Sequence, residues 1–295
     1  MKPETERLLG TLEILARTPF IWETEKNGEM NLWNLMLSEG FIKETDLELV
    51  FNHWQNIERW GTPTSQIDGQ YAPAREERED NDWNEAIAKQ RQRDYQQLQQ
   101  FCQKNLQNLK AYHLRVDESV RYLPNFYISI IIGKTLKNNW ICLAPIVEDL
   151  CLGIRPQTEK NTIAKSANQI DDSILSKIDS YLNKITPITI YGYYDGGYNQ
   201  THQHQIVQGI STNNIDAIAL ALQTSGMVTW ELTQVEYAGN YNNSRKLSQF
   251  MNQCLQDRTY CQISFWDYGY SYEFGRTPAN DWIGTKFSTE FDYNP

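Results

Sequence analysis

His202 and His204 stand two positions apart. On a strand, side chains at i and i+2 share a face. With Asp195 just upstream, they offer nitrogen and oxygen donors of the kind that hold a divalent metal. The spacing fixes no third ligand, however, and Asn199, Gln200, Thr201 and Gln203 fit a polar hairpin end. Gly133-Lys134-Thr135 follows an apolar run and invites comparison with a phosphate loop. That motif needs a second glycine five positions upstream, where this chain has Ile128. No helix is expected to follow, so the segment reads as a hairpin. Glu23, Thr24 and Glu25 form an acidic, hydroxyl-bearing turn, the expected partner-binding site against the plainer reading of a solvated loop. No Ser-His-Asp or Cys-His set can be nominated from spacing. The expectation is a non-catalytic chain with no cofactor and no metal, the His202, His204 and Asp195 set being the alternative.

The elements that must position these groups follow from periodicity and turn chemistry. Leu8, Leu9, Leu12 and Leu15 predict a first helix, stopped before Pro19. Phe20 to Thr24 reads as a strand. Asn27-Gly28 suggests a tight hairpin turn, with Met30 to Trp33 as the return strand. A helix is predicted over 45–57, an exposed acidic insert over 61–82 and a long helix over 83–108, its apolar face carried by Ile87, Tyr95, Leu98, Phe101, Cys102 and Leu106. Strands follow at 110–116, 126–132 and 140–147. After a polar linker at 153–170 come a helix at 171–184, a hairpin pairing 188–194 with 205–210, a helix at 214–223, a strand at 227–236, a helix at 245–256 and a sheet over 259–289. Tyr191, Tyr193, Tyr194 and Tyr198, and Trp266 with Tyr268, Tyr270 and Tyr272, predict aromatic sheet faces.

Two stretches recur. Leu98-Gln99-Gln100-Phe101 with Leu106-Gln107 returns as Leu247-Ser248-Gln249-Phe250 with Leu255-Gln256, an offset of 149. Gly133-Lys134-Thr135 with Asn138-Asn139-Trp140-Ile141 returns as Gly275-Arg276-Thr277 with Asn280-Asp281-Trp282-Ile283, an offset of 142. Same order and nearly equal offset predict a duplicated unit of domain size rather than a short-period solenoid. Trp22-Glu23 and Trp230-Glu231 are a further, looser match. The expected fold is α+β: two related α/β sandwich modules, 1–152 and 171–295, each a long amphipathic helix on a mostly antiparallel sheet.

Length and composition agree. The chain has 295 residues, 40% of them hydrophobic, enough for ordinary cores. Net charge is −10, shared as −6 over 1–152 and −4 over the rest, which disfavours direct nucleic-acid binding and permits a basic partner. Five cysteines in no metal spacing fit reduced thiols, and no apolar run reaches membrane-spanning length. A cytoplasmic location is expected.

One ordered set of residues runs through the first module: Phe20-Ile21-Trp22-Glu23-Thr24-Glu25 through Leu32-Trp33, then Asp82-Trp83 before the helix bearing Tyr95, Leu98, Phe101 and Leu106. Asn108 to Leu114, Phe126 to Ile132, Gly133-Lys134-Thr135 and Trp140 to Glu148 complete it. In this order the first module resembles the nuclease A inhibitor-like family of small cyanobacterial proteins. The second module shares only the long helix and the terminal hairpin. The resemblance implies an α/β/α-type sandwich that plugs sugar-nonspecific, metal-dependent endonucleases with an acidic loop and a carboxyl terminus. A carboxylate can reach a cleft's divalent cation as a phosphate would. The family's terminal Glu-Thr has no counterpart at Val147-Glu148-Asp149, where the chain runs on, and the loop acids fall at Glu23 and Glu25. The leading expectation is therefore a protein-binding role, in its concrete form a nuclease inhibitor or immunity-like plug. A non-inhibitory scaffold or assembly module is the alternative.

Overall fold

The computed structural model describes residues 1–61, 85–116, 127–147, 162–164, 173–195, 198–232, 245–265 and 268–290. The insert expected at 61–82, apart from Gly61, lies outside them, as do Cys151, Trp266 and most of the linker expected at 153–170. The fold is α+β. In chain order the elements are α1 (Pro3–Leu15), β1 (Pro19–Trp22), α2 (Thr24–Asn27), α3 (Leu32–Ser38), β2 (Ile42–Thr45), α4 (Leu47–Trp60), α5 (Glu85–Asn105), β3 (Gln107–Arg115), β4 (Tyr127–Lys134) and β5 (Trp140–Pro145). There follow β6 (Thr162–Ala164), α6 (Ser173–Leu182), β7 (Ile188–Asp195), β8 (Tyr198–His204), β9 (Ile206–Ser211), α7 (Asn214–Thr224), β10 (Val228–Leu232), α8 (Arg245–Cys254), β11 (Gln256–Phe265), β12 (Tyr268–Arg276) and β13 (Trp282–Glu290).

Local chemistry explains most of these elements. Val50, Phe51, Trp54 and Ile57 are buried along one side of α4, the spacing of an amphipathic helix, and Gly61 ends it at φ 89°, a left-handed value glycine adopts without strain. The expected hairpin at 20–33 is not formed. Asn31 instead caps α3, its side chain accepting from the Asn34 amide at 2.9 Å, and Leu32, Leu35 and Met36 are buried at helical spacing. A cap with an apolar helical face outweighs the turn preference of Asn27-Gly28, which ends the short helix α2.

Two sheets carry the fold. Sheet A has the order β1-β13-β12-β11-β10, sheet B the order β2-β3-β4-β5-β9-β6, and β7 pairs with β8 alone. All pairings are antiparallel except β6 with β9. Strand pairing thus crosses the boundary expected at 153–170. β1 lies against β13, Phe20 opposite Gly284, and β9 lies against β5, Cys142 opposite Gly209. The expected partner of 188–194 is also replaced: β7 pairs with β8, freeing β9 for sheet B. Trp22 and Trp230, loosely matched in sequence, sit on opposite edge strands of sheet A.

Three apolar layers follow. The central core lies between the sheets: Leu32, Leu35 and Met36 of α3 and Ala217, Ile218 and Ala221 of α7 pack with Ile128, Ile130 and Ile132 of sheet B and Cys261, Ile263, Tyr272 and Phe274 of sheet A. Tyr268, Tyr270 and Tyr272 are all buried there, as expected of a packed aromatic face. On the outer side of sheet B, α4, α5 and α6 cover Ile131, Ile141, Leu143 and Ile206. On the outer side of sheet A, α1 and α8 cover Ile283 through Leu8, Leu12, Leu247 and Met251. Lys286 ties the layers together, pairing with Glu39 and lying 5.0 Å from the Tyr270 ring centre, within cation–π range. Cys102, Cys142 and Cys261 are buried free thiols. No helix among the described residues is long and apolar enough to cross a membrane.

Candidate functional site

Glu23, Thr24 and Glu25 form the start of α2, at the rim where β1 leaves sheet A. Glu23 precedes the helix but its side chain makes no capping bond. The cap comes from far along the chain. Asp281, 2% exposed in the β12–β13 hairpin, accepts from the Thr24 amide at 3.0 Å and from Thr5 Oγ1 at 2.7 Å. Thr24 Oγ1 donates to the Asn280 carbonyl at 2.5 Å. A carboxylate that receives a helix's first amide does the work of an N-cap side chain and favours the positive end of the helix. The acids on either side are paired, Glu23 with the Met1 amino group at 2.9 Å in a half-buried contact and Glu25 with Lys2 at 3.2 Å in an exposed one. That contact raises the amino group's pKa, through the hydrogen bond to Glu23 first and its charge second. Glu25 is 78% exposed, against 27% for Glu23. The result is an acidic projection whose backbone is fixed by a buried carboxylate and whose Glu25 side chain faces solvent.

A second polar constellation lies under α4 and α5. Glu58, 1% exposed, accepts from one full guanidinium edge of Arg91, Nε to Oε2 at 2.6 Å and Nη2 to Oε1 at 2.5 Å. Oε1 also accepts from Tyr95 OH at 2.6 Å and His204 Nδ1 at 3.2 Å, while Arg91 Nη1 reaches the Thr186 carbonyl at 3.0 Å. Burial pushes the Glu58 carboxyl up, but the Arg91 and His204 hydrogen bonds and charges outweigh it and hold it at about 2. Burial and the neighbouring carboxylate drive the Tyr95 phenol well above its ordinary value. This is the strong, bidentate form of ion pair. A cleft of about 260 Å³ opens beside it, lined by Gln55, Asn56, Arg59, Lys89 and Gln92 with Glu58 and Arg91.

Nearby, Ser129 Oγ sits 2.7 Å from His53 Nδ1 and 2.8 Å from His113 Nδ1. One hydroxyl proton serves only one of them, so at least one imidazole carries its proton on Nδ1. Burial first, then the charges of His113 and His204, push His53 down to about 3. Burial and Lys43 lower His113. Trp54 Nε1 donates to the Ser129 carbonyl at 2.9 Å. The arrangement locks α4 to β4.

The structure separates the residues weighed as the alternative metal set. On the β7–β8 ladder, Asp195 is opposite Tyr198 while His202 is opposite Ile190 and His204 opposite Ile188. Six residue steps along β8 separate Tyr198, opposite Asp195, from His204, roughly 20 Å at ~3.3 Å each. His204 is instead committed to Glu58. Among the described residues no group of three or more His, Cys, Asp or Glu is placed to hold a metal. Gly133-Lys134-Thr135 enters the β4–β5 hairpin read from the sequence, with the Thr135 amide donating to the Asn139 carbonyl at 2.8 Å.

Sequence reasoning missed Asp281 and the Glu58 network. Glu58 lies 33, 37 and 146 positions from Arg91, Tyr95 and His204, so no local spacing marks the set. The one visible trace was Arg91 and Tyr95, four apart on the same helical face in a glutamine-rich segment. Comparison with protein-family models, with curated proteins and with solved structures gives no match.

Proposed function

We propose that the chain is a non-catalytic, cytoplasmic protein-binding protein that presents Glu23, Thr24 and Glu25 to a basic cleft, as a nuclease inhibitor or immunity-like plug does. The observation that carries this reading is the Asp281 anchor. It fixes the backbone at Thr24 while leaving Glu25 in solvent, so the acid is pre-organised and little ordering cost remains to be met on binding. In the complex, Glu25 leaves Lys2 and approaches the divalent cation of the partner's active site, which takes oxygen ligands. Glu23 and the net negative charge of the chain favour encounter with a cleft built for a polyanion. The partner's substrate path is closed by bulk, with no chemistry required of this chain.

The test is binding of a sugar-nonspecific, metal-dependent endonuclease by isothermal titration. Glu23→Ala combined with Glu25→Ala is expected to weaken the complex at least tenfold, about 1.4 kcal/mol, with the melting temperature preserved. An unchanged dissociation constant in the double variant removes this loop as the contact.

A further inference from the structure

The recurring stretches are alike in detail well beyond their letters. Asn108 and Asp257, offset by 149, both have left-handed backbone at φ 50° and 47°. Each lies within the register shift near the start of its strand, between Gln107 and Lys110 in one and between Gln256 and Thr259 in the other. Asn138 and Asn280, offset by 142, repeat the conformation at φ 64° and 65°. A Cβ on Gly133 would lie 2.9 Å from Leu106 Cβ, and one on Gly275 would lie 2.7 Å from Leu255 Cβ. The helix-to-strand junction therefore crosses the following strand at the same place twice.

The two sheets also correspond over five strands, β6 at the far edge of sheet B having no counterpart among the described residues. β2-β3-β4-β5 of sheet B matches β10-β11-β12-β13 of sheet A, and the strand beyond the last one is β9 in sheet B and β1 in sheet A. In each case that strand belongs to the other half of the chain. The helix ahead of it crosses over as well: α1 packs with α8 in the outer layer of sheet A, and α6 packs with α5 in that of sheet B. A helix after it, α3 in one half (beyond the short α2) and α7 in the other, returns the chain to its own sheet, and these two helices share the central core.

We infer that the two halves have reciprocally exchanged their leading arms, α1–β1 for α6–β9, so that neither half is a folding unit. Each arm is fastened in its adopted place by one buried carboxylate of the other half. Asp281 holds the first arm through Thr5 and Thr24, and Glu58 holds the second through His204, aided by Arg91 on Thr186. The consequence is that the acidic rim at 23–25 is composite: its acids come from the first half, its anchor from the second.

The experiment uses the full chain with a protease site placed within 153–170, cut after folding. Cysteine pairs across the exchanged ladders, Pro19→Cys with Thr285→Cys or Trp140→Cys with Ser211→Cys, report the pairing, since these residues are opposite each other and paired strands bring Cα atoms within disulfide range. The exchange predicts that the cut protein elutes as one species near the intact 34.5 kDa. It also predicts that, after oxidation, each pair keeps the two fragments covalently joined on a non-reducing gel. Separation of the native cut fragments overturns the inference, and so does failure of both folded cysteine variants to cross-link. Two independent pairs guard against one variant misfolding.

Discussion

Glu58 and Asp281 do the same job in opposite halves of the molecule with very different surroundings. Both are buried carboxylates, 1% and 2% exposed, and both grip an element that arrives from the other half. Glu58 grips through full charge compensation, two bonds from Arg91 with Tyr95 and His204 filling the remaining positions. Asp281 grips through neutral donors, a hydroxyl and a main-chain amide, at the edge of the sheet. The first is closed and serves stability; the second sits beside the exposed acids and sets their geometry. The β4–β5 hairpin shows how little separates an anchor from a plain turn. It has the same fold as the β12–β13 hairpin, with Thr135 and Thr277 each accepting a main-chain amide on Oγ1, at 3.3 and 3.2 Å. Yet it ends in Asn139 where the other ends in Asp281.

Breaking the closed grip should cost most. Glu58→Ala leaves the Arg91 guanidinium buried without its partner, a loss of ~3–5 kcal/mol for a buried ion pair, read as a drop in the urea midpoint. Acid should act on the same region. The His53 imidazole stays neutral in the folded protein down to about 3, whereas in the unfolded chain it takes a proton near 6.5. Its contribution is therefore complete above pH 6.5 and lost as pH falls toward 3. Glu58, held at about 2, contributes fully above the ordinary carboxyl range, near 4.5, and loses that contribution as pH falls toward 2. Stability measured from pH 7 to 3 should decline by several kcal/mol, and His53→Gln should flatten the upper part of that decline.

The open grip should be cheaper to break and more telling for function. Asp281→Ala removes the acceptor of two bonds and is expected to cost about 2–3 kcal/mol, while also loosening the 23–27 segment. Amide exchange at Thr24 should rise in that variant and stay unchanged in Glu58→Gln. At the small end, Glu25→Ala should move stability by no more than ~0.5 kcal/mol, because an exposed pair such as Glu25 with Lys2 contributes little, yet it should weaken partner binding.

The contrast also explains what the sequence made legible. The two hairpins and the helices ahead of them were readable because their determinants are local: a glycine where a leucine crosses, a threonine, an asparagine at left-handed φ. The long amphipathic helices α4 and α5 were readable from periodicity. Partner choice between strands was not, because β1 is held against β13 by contacts from far along the chain, the packing of α1 on α8 and the Asp281 bonds to Thr5 and Thr24. The misplaced hairpin at 20–33 came from giving Asn27-Gly28 more weight than the Asn31 cap. The Glu23-Thr24-Glu25 turn was visible as acidic, but its anchor 257 positions away had no local signature.

The most direct measurement follows DNA cleavage by a sugar-nonspecific, metal-dependent endonuclease while this protein is titrated in, alongside the Glu23→Ala, Glu25→Ala double variant. The plug reading predicts that cleavage falls to zero at a one-to-one ratio with the natural sequence and persists at that ratio with the variant. Undiminished cleavage at a large excess of the natural protein would contradict it.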